Sequence, residues 1–391
     1  MIATLGCSGC YYSQLARGQL ALLWAREPIE EVLADPTRPP QTRRLLALVE
    51  SVRDFARELG LRVGDQYTSY VDWPQEDRLI TTLVRTREGS LEPVPFWFPV
   101  LGRLPYKGYF DRERAARDAT RLRARSFDVC ESGVAAYSTL GWLDDPVTSP
   151  MLRQGPVSLV ETILHELVHA TAFLPEEAGF NESVAQFIGQ EAAVRFFRAR
   201  ARTRTEAGTD GPTAGATPTE GAETESADGS EPWPDPGRIR DLIEDRRAIA
   251  GEIVAFRARL LQTQEPGAVD DRLAWRAREE EAARDRLARL PLRVLSAEAV
   301  AAAARLSNAC LALRGTYVED LPRHARVLEA LGGDLGAMIQ RLRRWADEAR
   351  SVDAFYRIAP AGEHTLTAGT QRRSAADELH DPALHQAPED R

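Results

Sequence analysis

The stretch PVSLVETILHELVHATAFLPEEAGFNESVAQFIGQEAAVRFFRAR, residues 156–200, contains the pattern H-E-L-V-H, formed by His165, Glu166 and His169. On an α-helix, residues four apart lie on the same face, one turn above each other. Two imidazoles in this arrangement can bind one zinc ion, and a glutamate beside the first histidine can take a proton from a water at the metal. The pattern therefore predicts a metal-binding helix that also carries a general base.

The residues around the pattern favour a buried helix. Apolar side chains recur at helical spacing at Val157, Val160, Leu164 and Val168. The competing interpretation is a chance pair of surface histidines. The chain has six histidines in 391 residues, so a chance match is rare, on the order of one per cent. A zinc site with one ion per chain is the better hypothesis.

A third ligand is needed, because a catalytic zinc ion usually has three protein ligands and one open position. Proline, at position 175, stands where the H-E-x-x-H-x-x-G-x-x-H pattern would have its third histidine. We therefore expect a carboxylate from the next helix, and Glu182 in N-E-S-V-A is the best candidate. Glu191 is the rival, but nine residues turn it about half a turn away from Glu182. Two more carboxylates stand in the connecting loop, Glu176 and Glu177.

HELVHAT followed by FNES resembles the bacterial predicted zinc aminopeptidases, a zincin-like family. The resemblance covers most of residues 10–355, with an interruption near 201–236. It is carried further by PYKGYFD at 105–111, AYSTLGWLDDP at 136–146 and SNACLALRGTY at 307–317. It implies that His165, His169 and Glu182 bind zinc and that Glu166 is the base. The sequence has no G-x-M-E-N segment, with which other zinc aminopeptidases hold a substrate's amino group.

The resembling segments supply three weaker candidates for the site. Tyr137 lies in residues 134–140, where zincins have an edge strand that binds extended substrate through main-chain hydrogen bonds. An ordinary sheet strand is the equal alternative. Tyr317 is the candidate oxyanion donor and Asn308 a candidate for positioning substrate. For both of these residues, capping or packing is the alternative role.

Composition limits the possible classes of protein. With 43% apolar residues and a net charge of −9, the chain can form a core and is no general nucleic-acid binder. No apolar run reaches the eighteen residues of a transmembrane helix. Of the four cysteines, Cys130 and Cys310 are expected to be isolated thiols, with a disulfide as the alternative.

Cys7 and Cys10 form a C-x-x-C pair without a second pair or a supporting redox fold. L-G-C and S-G-C resemble the lipobox of a bacterial lipoprotein signal, so residues 1–10 are interpreted as its remnant. Either cysteine could then carry a lipid that attaches the chain to a membrane. We expect a cell-envelope or periplasmic location, or a cytoplasmic one if the chain truly starts at this methionine.

The expected fold class is α+β and mostly helical. A zincin-like catalytic part at 11–200 has helices at 11–35 and 41–60, and a small sheet against the metal helix. Residues 201–236 are Gly-, Thr- and Pro-rich and predict a disordered insertion. Residues 237–358 are expected to form a C-terminal helical lobe of the same unit, and 359–391 a disordered tail.

These features together predict a zinc-dependent peptidase acting on peptides or proteins, and specifically an aminopeptidase. Zinc would activate a water, with Glu166 as general base. A zinc endopeptidase or cell-envelope amidase is the first alternative. A non-catalytic envelope protein that uses a zincin fold for binding is the second, although a binding protein has no need of a general base.

Overall fold

Fourteen helices and eight short strands make up the part of the chain that the computed structural model describes. The described residues are 6–74, 77–98, 102–135, 144–207, 233–262, 269–314, 320–348 and 351–357. Residues 1–358 belong to a single unit, and a second unit, 359–391, lies outside the described residues. The chain is mostly helical with small sheets, as the α+β prediction requires.

The helices are α1 (Gly6–Trp24), α2 (Ile29–Ala34), α3 (Pro40–Glu58), α4 (Arg112–Arg123), α5 (Ser149–Arg153), α6 (Pro156–Thr171), α7 (Ala178–Ala207), α8 (Pro236–Gln262), α9 (Val269–Ala288), α10 (Ala297–Ala303), α11 (Asn308–Arg314), α12 (Leu321–Ala330), α13 (Leu335–Asp347) and α14 (Val352–Tyr356). The strands are β1 (Glu27–Pro28), β2 (Ser69–Val71), β3 (Ile80–Arg87), β4 (Phe96–Phe98), β5 (Gly102–Leu104), β6 (Tyr106–Tyr109), β7 (Phe127–Val134) and β8 (Val147–Thr148). No helix among the described residues is long and apolar enough to cross a bilayer.

The strands form three small sheets within the described residues. One has the order β1-β2-β8, the second β6-β3-β7, and β4 pairs with β5. In the second sheet β3 is central and antiparallel to both neighbours, with Val84 opposite Cys130. Helix α4 covers one face of this sheet through Leu83 and Val129, and α11 packs on the other beside Val84. Because β3 is the central strand, β7 forms an edge of this sheet.

Helix α6 is held in the largest core. A glycine with φ of 84° precedes it, and Pro156 is its first residue, where no backbone N–H is needed. Its residues Leu159, Val160, Ile163 and Leu164 are fully buried. Helices α7 and α3 make its largest contacts. The sheet β1-β2-β8 shares the same core through Tyr70 and Val147, so the helix expected to lie against a sheet is covered mainly by helices.

The C-terminal helices divide between two cores. Helices α12, α13 and α14 and the start of α8 join the core around α6 and α7. The rest of α8 forms a second core with α9, α10 and α11, centred on Phe256 and Leu311. Helix α8 belongs to both, so it connects the two cores.

Two predicted segments differ from the structure in their bounds. The single helix expected over 11–35 is divided into α1, β1 and α2, because Pro28 pairs with Ser69 in β2 and cannot continue a helix. The segment expected as an insertion, 201–236, begins with seven further residues of α7. Near its end, Trp233 packs on the main core, with the Arg44 guanidinium 4.0 Å from its ring centre. Residues 208–232 lie outside the described residues.

The expectation of isolated thiols at Cys130 and Cys310 is wrong. The two cysteines form a disulfide, with their Cα atoms 4.9 Å apart across a sequence separation of 180 residues. Both are buried beside Ala309 and Ala312. The bond ties α11 to the face of β7. A pairing over such a distance leaves no local pattern in the sequence.

Candidate metal centre

Helices α6 and α7 bring together the three predicted ligands. The Nε2 atoms of His165 and His169 lie 3.1 Å apart. Oε2 of Glu182 lies 3.4 Å from Nε2 of His165 and 3.6 Å from Nε2 of His169. Of the described residues, these three are the group whose atoms could hold a metal ion. His169 is buried, and the other two are partly exposed.

These three distances fit a tetrahedral zinc ion. Zinc binds histidine nitrogen and carboxylate oxygen at about 2.0–2.2 Å, which gives roughly 3.3–3.6 Å between neighbouring ligand atoms. The observed separations of 3.1, 3.4 and 3.6 Å agree with such a triangle. Two imidazoles and one carboxylate form a mixed nitrogen and oxygen set that suits zinc better than calcium or magnesium. The residues present therefore fit the predicted metal.

The charges at the site favour an ionised Glu182. Burial raises the pKa of Glu182, but hydrogen bonds and charge from His165 and His169 outweigh this and lower it to about 2. Burial likewise lowers the pKa of His165, but the interaction with Glu182 and the charges of Glu166 and Glu161 leave it raised. The carboxylate is thus negative over the whole physiological range, as a metal ligand must be.

The residues on either side of Glu182 fix its position. Asn181 is buried and accepts a hydrogen bond from the backbone N–H of Leu174 at 3.0 Å, while its Nδ2 donates to the Leu174 carbonyl at 2.7 Å. These two hydrogen bonds hold the loop after α6 against the first turn of α7. On the other side, Oγ of Ser183 lies 3.0 Å from Nε2 of the buried His324 on α12. Through these contacts, the residues before and after Glu182 fix the position of its carboxylate.

Ion pairs from α8 bind the two site helices together. Glu161, one turn before His165, accepts hydrogen bonds from Arg246 at 2.6 Å and from Gln186 at 2.7 Å. Glu191 accepts two bonds from Arg240, at 2.6 and 3.0 Å, and one from Arg247 at 3.2 Å. Both glutamates are buried. Glu191, the rival third ligand, is therefore committed to arginines rather than to the metal site.

Glu166 is partly exposed and adjoins His165. Within the described residues, no hydrogen bond engages its carboxylate. Burial, and then the charges of Glu166 and Asp145, raise the pKa of Tyr67. Tyr67 is buried with a positive φ of 59°, and its backbone N–H donates to the Asp145 carbonyl at 2.8 Å. The carboxylate of Glu166 thus lies beside the histidine pair without a hydrogen-bond partner among the described residues.

Of the weaker candidates, Asn308 lies in a described part of the chain, outside the group of three predicted ligands. Asn308 lines a cleft of about 610 Å³ with Phe127 and Trp275, and its Oδ1 accepts a hydrogen bond from Nε of Arg276 at 3.1 Å. Tyr137 and Tyr317 lie outside the described residues. The backbone of the two N-terminal cysteines, Cys7 and Cys10, lies in α1. The roles predicted for these five residues stay predictions.

Sequence reasoning missed the supports of the site. Glu161 lies among apolar residues on α6, and a charge in such a position signals a buried partner. The three arginines of α8 fall close together in the chain, at Arg240, Arg246 and Arg247, so the pairing could have been suspected. The contact of Ser183 with His324 joins residues 141 positions apart, and no signal in the sequence predicts it.

His165, His169 and Glu182, on a pair of helices, could bind a metal ion, and this arrangement is compatible with a metallopeptidase. The chain belongs to an aminopeptidase family: a family model described as "Putative aminopeptidase" matches residues 10–353. This membership supports peptidase activity in general. Comparisons with curated proteins and with solved structures give no significant match.

Proposed function

We propose that the chain is a zinc-dependent peptidase of zincin-like type, acting as an aminopeptidase. The observation that carries the proposal is the triangle of His165 Nε2, His169 Nε2 and Glu182 Oε2. The carboxylate of Glu166, next to His165 in the chain, accepts no hydrogen bond from a described residue. Family membership supports the peptidase class. The two-histidine, one-glutamate donor set supports zinc as the metal.

Each residue of the site has a distinct role in this proposal. His165, His169 and Glu182 would hold one zinc ion, and Asn181 and His324 would keep Glu182 in place. When bound, zinc would polarise the scissile carbonyl and acidify a water molecule. A carboxylate oxygen of Glu166 would accept the proton of the attacking water and deliver it to the leaving amine. The substrates would be peptides or proteins.

Four variants test the site. Glu182→Gln and His169→Ala should lose most bound zinc, as measured by mass spectrometry of the purified protein. Glu166→Gln should keep about one zinc per chain but lose peptide hydrolysis by roughly a thousandfold or more. The matched control is Glu177→Gln, which changes an exposed glutamate in the loop between α6 and α7. This variant should keep both zinc binding and peptide hydrolysis. Unchanged hydrolysis in Glu166→Gln would contradict the assignment of the base.

A peptide library separates the remaining alternatives. Release of single amino-terminal residues, blocked by N-acetylation, would support the aminopeptidase. Cleavage at internal bonds would favour the endopeptidase, and cleavage of cell-wall peptides alone would favour the amidase. Zinc binding without hydrolysis of any library member would favour the non-catalytic binding protein.

We further propose a cell-envelope location. The buried disulfide between Cys130 and Cys310 supports it, because disulfides persist in oxidising compartments such as the periplasm. Attachment through a lipid on Cys7 or Cys10 belongs to the same proposal. Fractionation of cells that express the full-length protein, with mass spectrometry of its N-terminus, tests both points. A wholly cytoplasmic, unmodified and reduced protein would contradict them.

A further inference from the structure

Helix α1 has two apolar faces, and its inner face fixes how the helix lies. Leu22 is buried among Val71, Leu79 and Ile80. The buried Gln14 accepts a hydrogen bond from the Phe110 backbone N–H at 3.1 Å. A Cβ atom on Gly18 would lie 2.2 Å from the Phe110 ring, so only glycine allows this contact. The helix is therefore firmly docked, and its opposite side must face outward.

The outer face of α1 is also apolar. It contains Tyr12, Ala16, Leu20, Leu23 and Trp24, which fall within about one third of the helix circumference by the 3.6-residue period, together with the half-buried Ser13. The first five are exposed, Leu20 by 44% and Trp24 by 81%. An exposed apolar face on a helix whose opposite face is already packed normally lies against another apolar surface, either of a protein or of a lipid bilayer. Four large side chains aligned in this way form a patch rather than scattered surface residues.

Charge distinguishes this part of the chain from the rest. The first 26 residues contain Arg17 and Arg26 and no aspartate or glutamate, although the whole chain has a net charge of −9. Arg17 is exposed, lies beside Trp24 on the helix circumference, and forms no ion pair with any described residue. A basic residue at the border of an apolar face suits a surface that combines anionic head groups with hydrocarbon.

A second copy of the chain is a poorer occupant. From residue 12 to residue 24 the helix spans about 18 Å, so its outer face covers on the order of 200 Å². A stable protein interface buries roughly 800 Å² on each partner. A bilayer has no such minimum, and tyrosine and tryptophan at the two ends of the face are the side chains favoured at the membrane interface. We propose that α1 lies along the surface of an anionic phospholipid bilayer, with its outer face in the head-group region.

Vesicle co-sedimentation of the full-length protein, purified without attached lipid, tests this proposal. The wild type should bind vesicles of phosphatidylglycerol and phosphatidylethanolamine more strongly than vesicles of phosphatidylcholine. Leu20→Glu/Leu23→Glu should reduce binding to the anionic vesicles roughly tenfold or more. Arg17→Glu should remove the preference for anionic lipid. All substituted side chains are exposed, so circular dichroism should show unchanged folding.

The matched control is Leu261→Glu/Leu273→Glu, which changes two leucines that are 57% and 56% exposed and lie far from α1 in the sequence. This variant should bind as the wild type does. Absence of wild-type binding to either kind of vesicle, or equal binding by Leu20→Glu/Leu23→Glu, would overturn the proposal. Self-association that the α1 variant abolishes would assign the face to a second copy instead. None of these outcomes depends on hydrolytic activity.

Discussion

Gly189 of α7 lies against the backbone of His165 on α6: a Cβ atom placed on Gly189 would be 3.1 Å from the His165 nitrogen and 3.3 Å from its Cα atom. The same atom would lie 3.1 Å from the carbonyl oxygen of Glu161. These are backbone atoms of a packed helix, which cannot turn aside as a flexible side chain could. The close approach of the two helices, and hence the distance from Glu182 to the histidines, depends on this glycine.

Gly189→Ala should therefore weaken zinc binding. The methyl group forces α6 and α7 apart by a few tenths of an ångström, which widens the ligand triangle, and we expect a loss of affinity of about tenfold, measured by competition with a chelator. The free energy of unfolding should change little, because the preference of alanine over glycine in a helix, about 1 kcal/mol, offsets the cost of the tight contact. Gly251→Ala on α8 is the control, since its Cβ would meet nothing within 4 Å. Equal zinc affinity in both variants would show that the close contact is unimportant.

Glu191→Gln should lower stability without removing zinc. The change leaves Arg240 and Arg247 without their ionised partner in a mostly buried position, at a cost of about 2–3 kcal/mol. Urea denaturation measures this loss, and elemental analysis of the folded protein should still find about one zinc per chain. A variant of normal stability that lacked zinc would instead identify Glu191 as the third ligand.

His324 should make the metal-free protein less stable in mild acid. Burial lowers the pKa of His324 from 6.5 to about 4; the charge of Asp320 raises this pKa and that of Arg323 lowers it, both by less than burial does. The unfolded chain therefore binds this proton more readily than the folded one. Its contribution is fully present above about pH 6.5 and is lost as the pH falls towards 4, by at most about 3 kcal/mol.

The variant His324→Phe isolates this dependence, because a phenyl ring fits among Phe180, Phe187 and Phe355 and cannot be protonated. Between pH 6.5 and 4.5 the wild type should lose stability relative to the variant, as measured by denaturation at each pH. The lowered pKa of Glu182 acts below pH 4.5 and the raised pKa of His165 above pH 6.5, so neither obscures this window. Parallel curves would contradict the prediction.

Loss of the disulfide should destabilise the chain strongly. The bond closes a loop of 180 residues, for which chain entropy gives an upper limit of about 5 kcal/mol. We expect Cys130→Ala/Cys310→Ala to lose about 2–5 kcal/mol, and dithiothreitol to have the same effect on the wild type. Cys7→Ser/Cys10→Ser is the control and should remain sensitive to the reductant. A double alanine variant as stable as the wild type would show that the bond contributes nothing.

The sequence predicts the local parts of the molecule better than its long-range pairings. His165 and His169 follow from the helical period alone, and Glu182 follows from its place at the start of the next helix. Helix α6 ends where the pattern of apolar residues ends. By contrast, the division of residues 11–35 depends on a strand pair between Glu27 and Tyr70, which no local pattern reveals.

The same limit applies around the site. The contact of Gly189 with His165 requires the packing angle of two helices, and the ion pair of Glu161 with Arg246 joins residues 85 positions apart. The sequence predicts a helix over 11–35, but the helical period alone does not distinguish the buried leucines of α1 from the exposed ones. Only the packed inner face shows which leucines remain uncovered.

The distribution of the proposed metal ligands along the chain affects how the protein folds. His165, His169 and Glu182 lie within one run of 18 residues, 165–182, and Asn181 closes the loop between their helices onto Leu174. Bringing such near neighbours together costs little chain entropy, whereas joining Cys130 to Cys310 requires the ordering of a loop ten times longer. Contacts between near neighbours form fastest. The helical pair should thus be able to capture its metal during synthesis, before α8 has been made, and the ion would then act as a template on which the later helices fold.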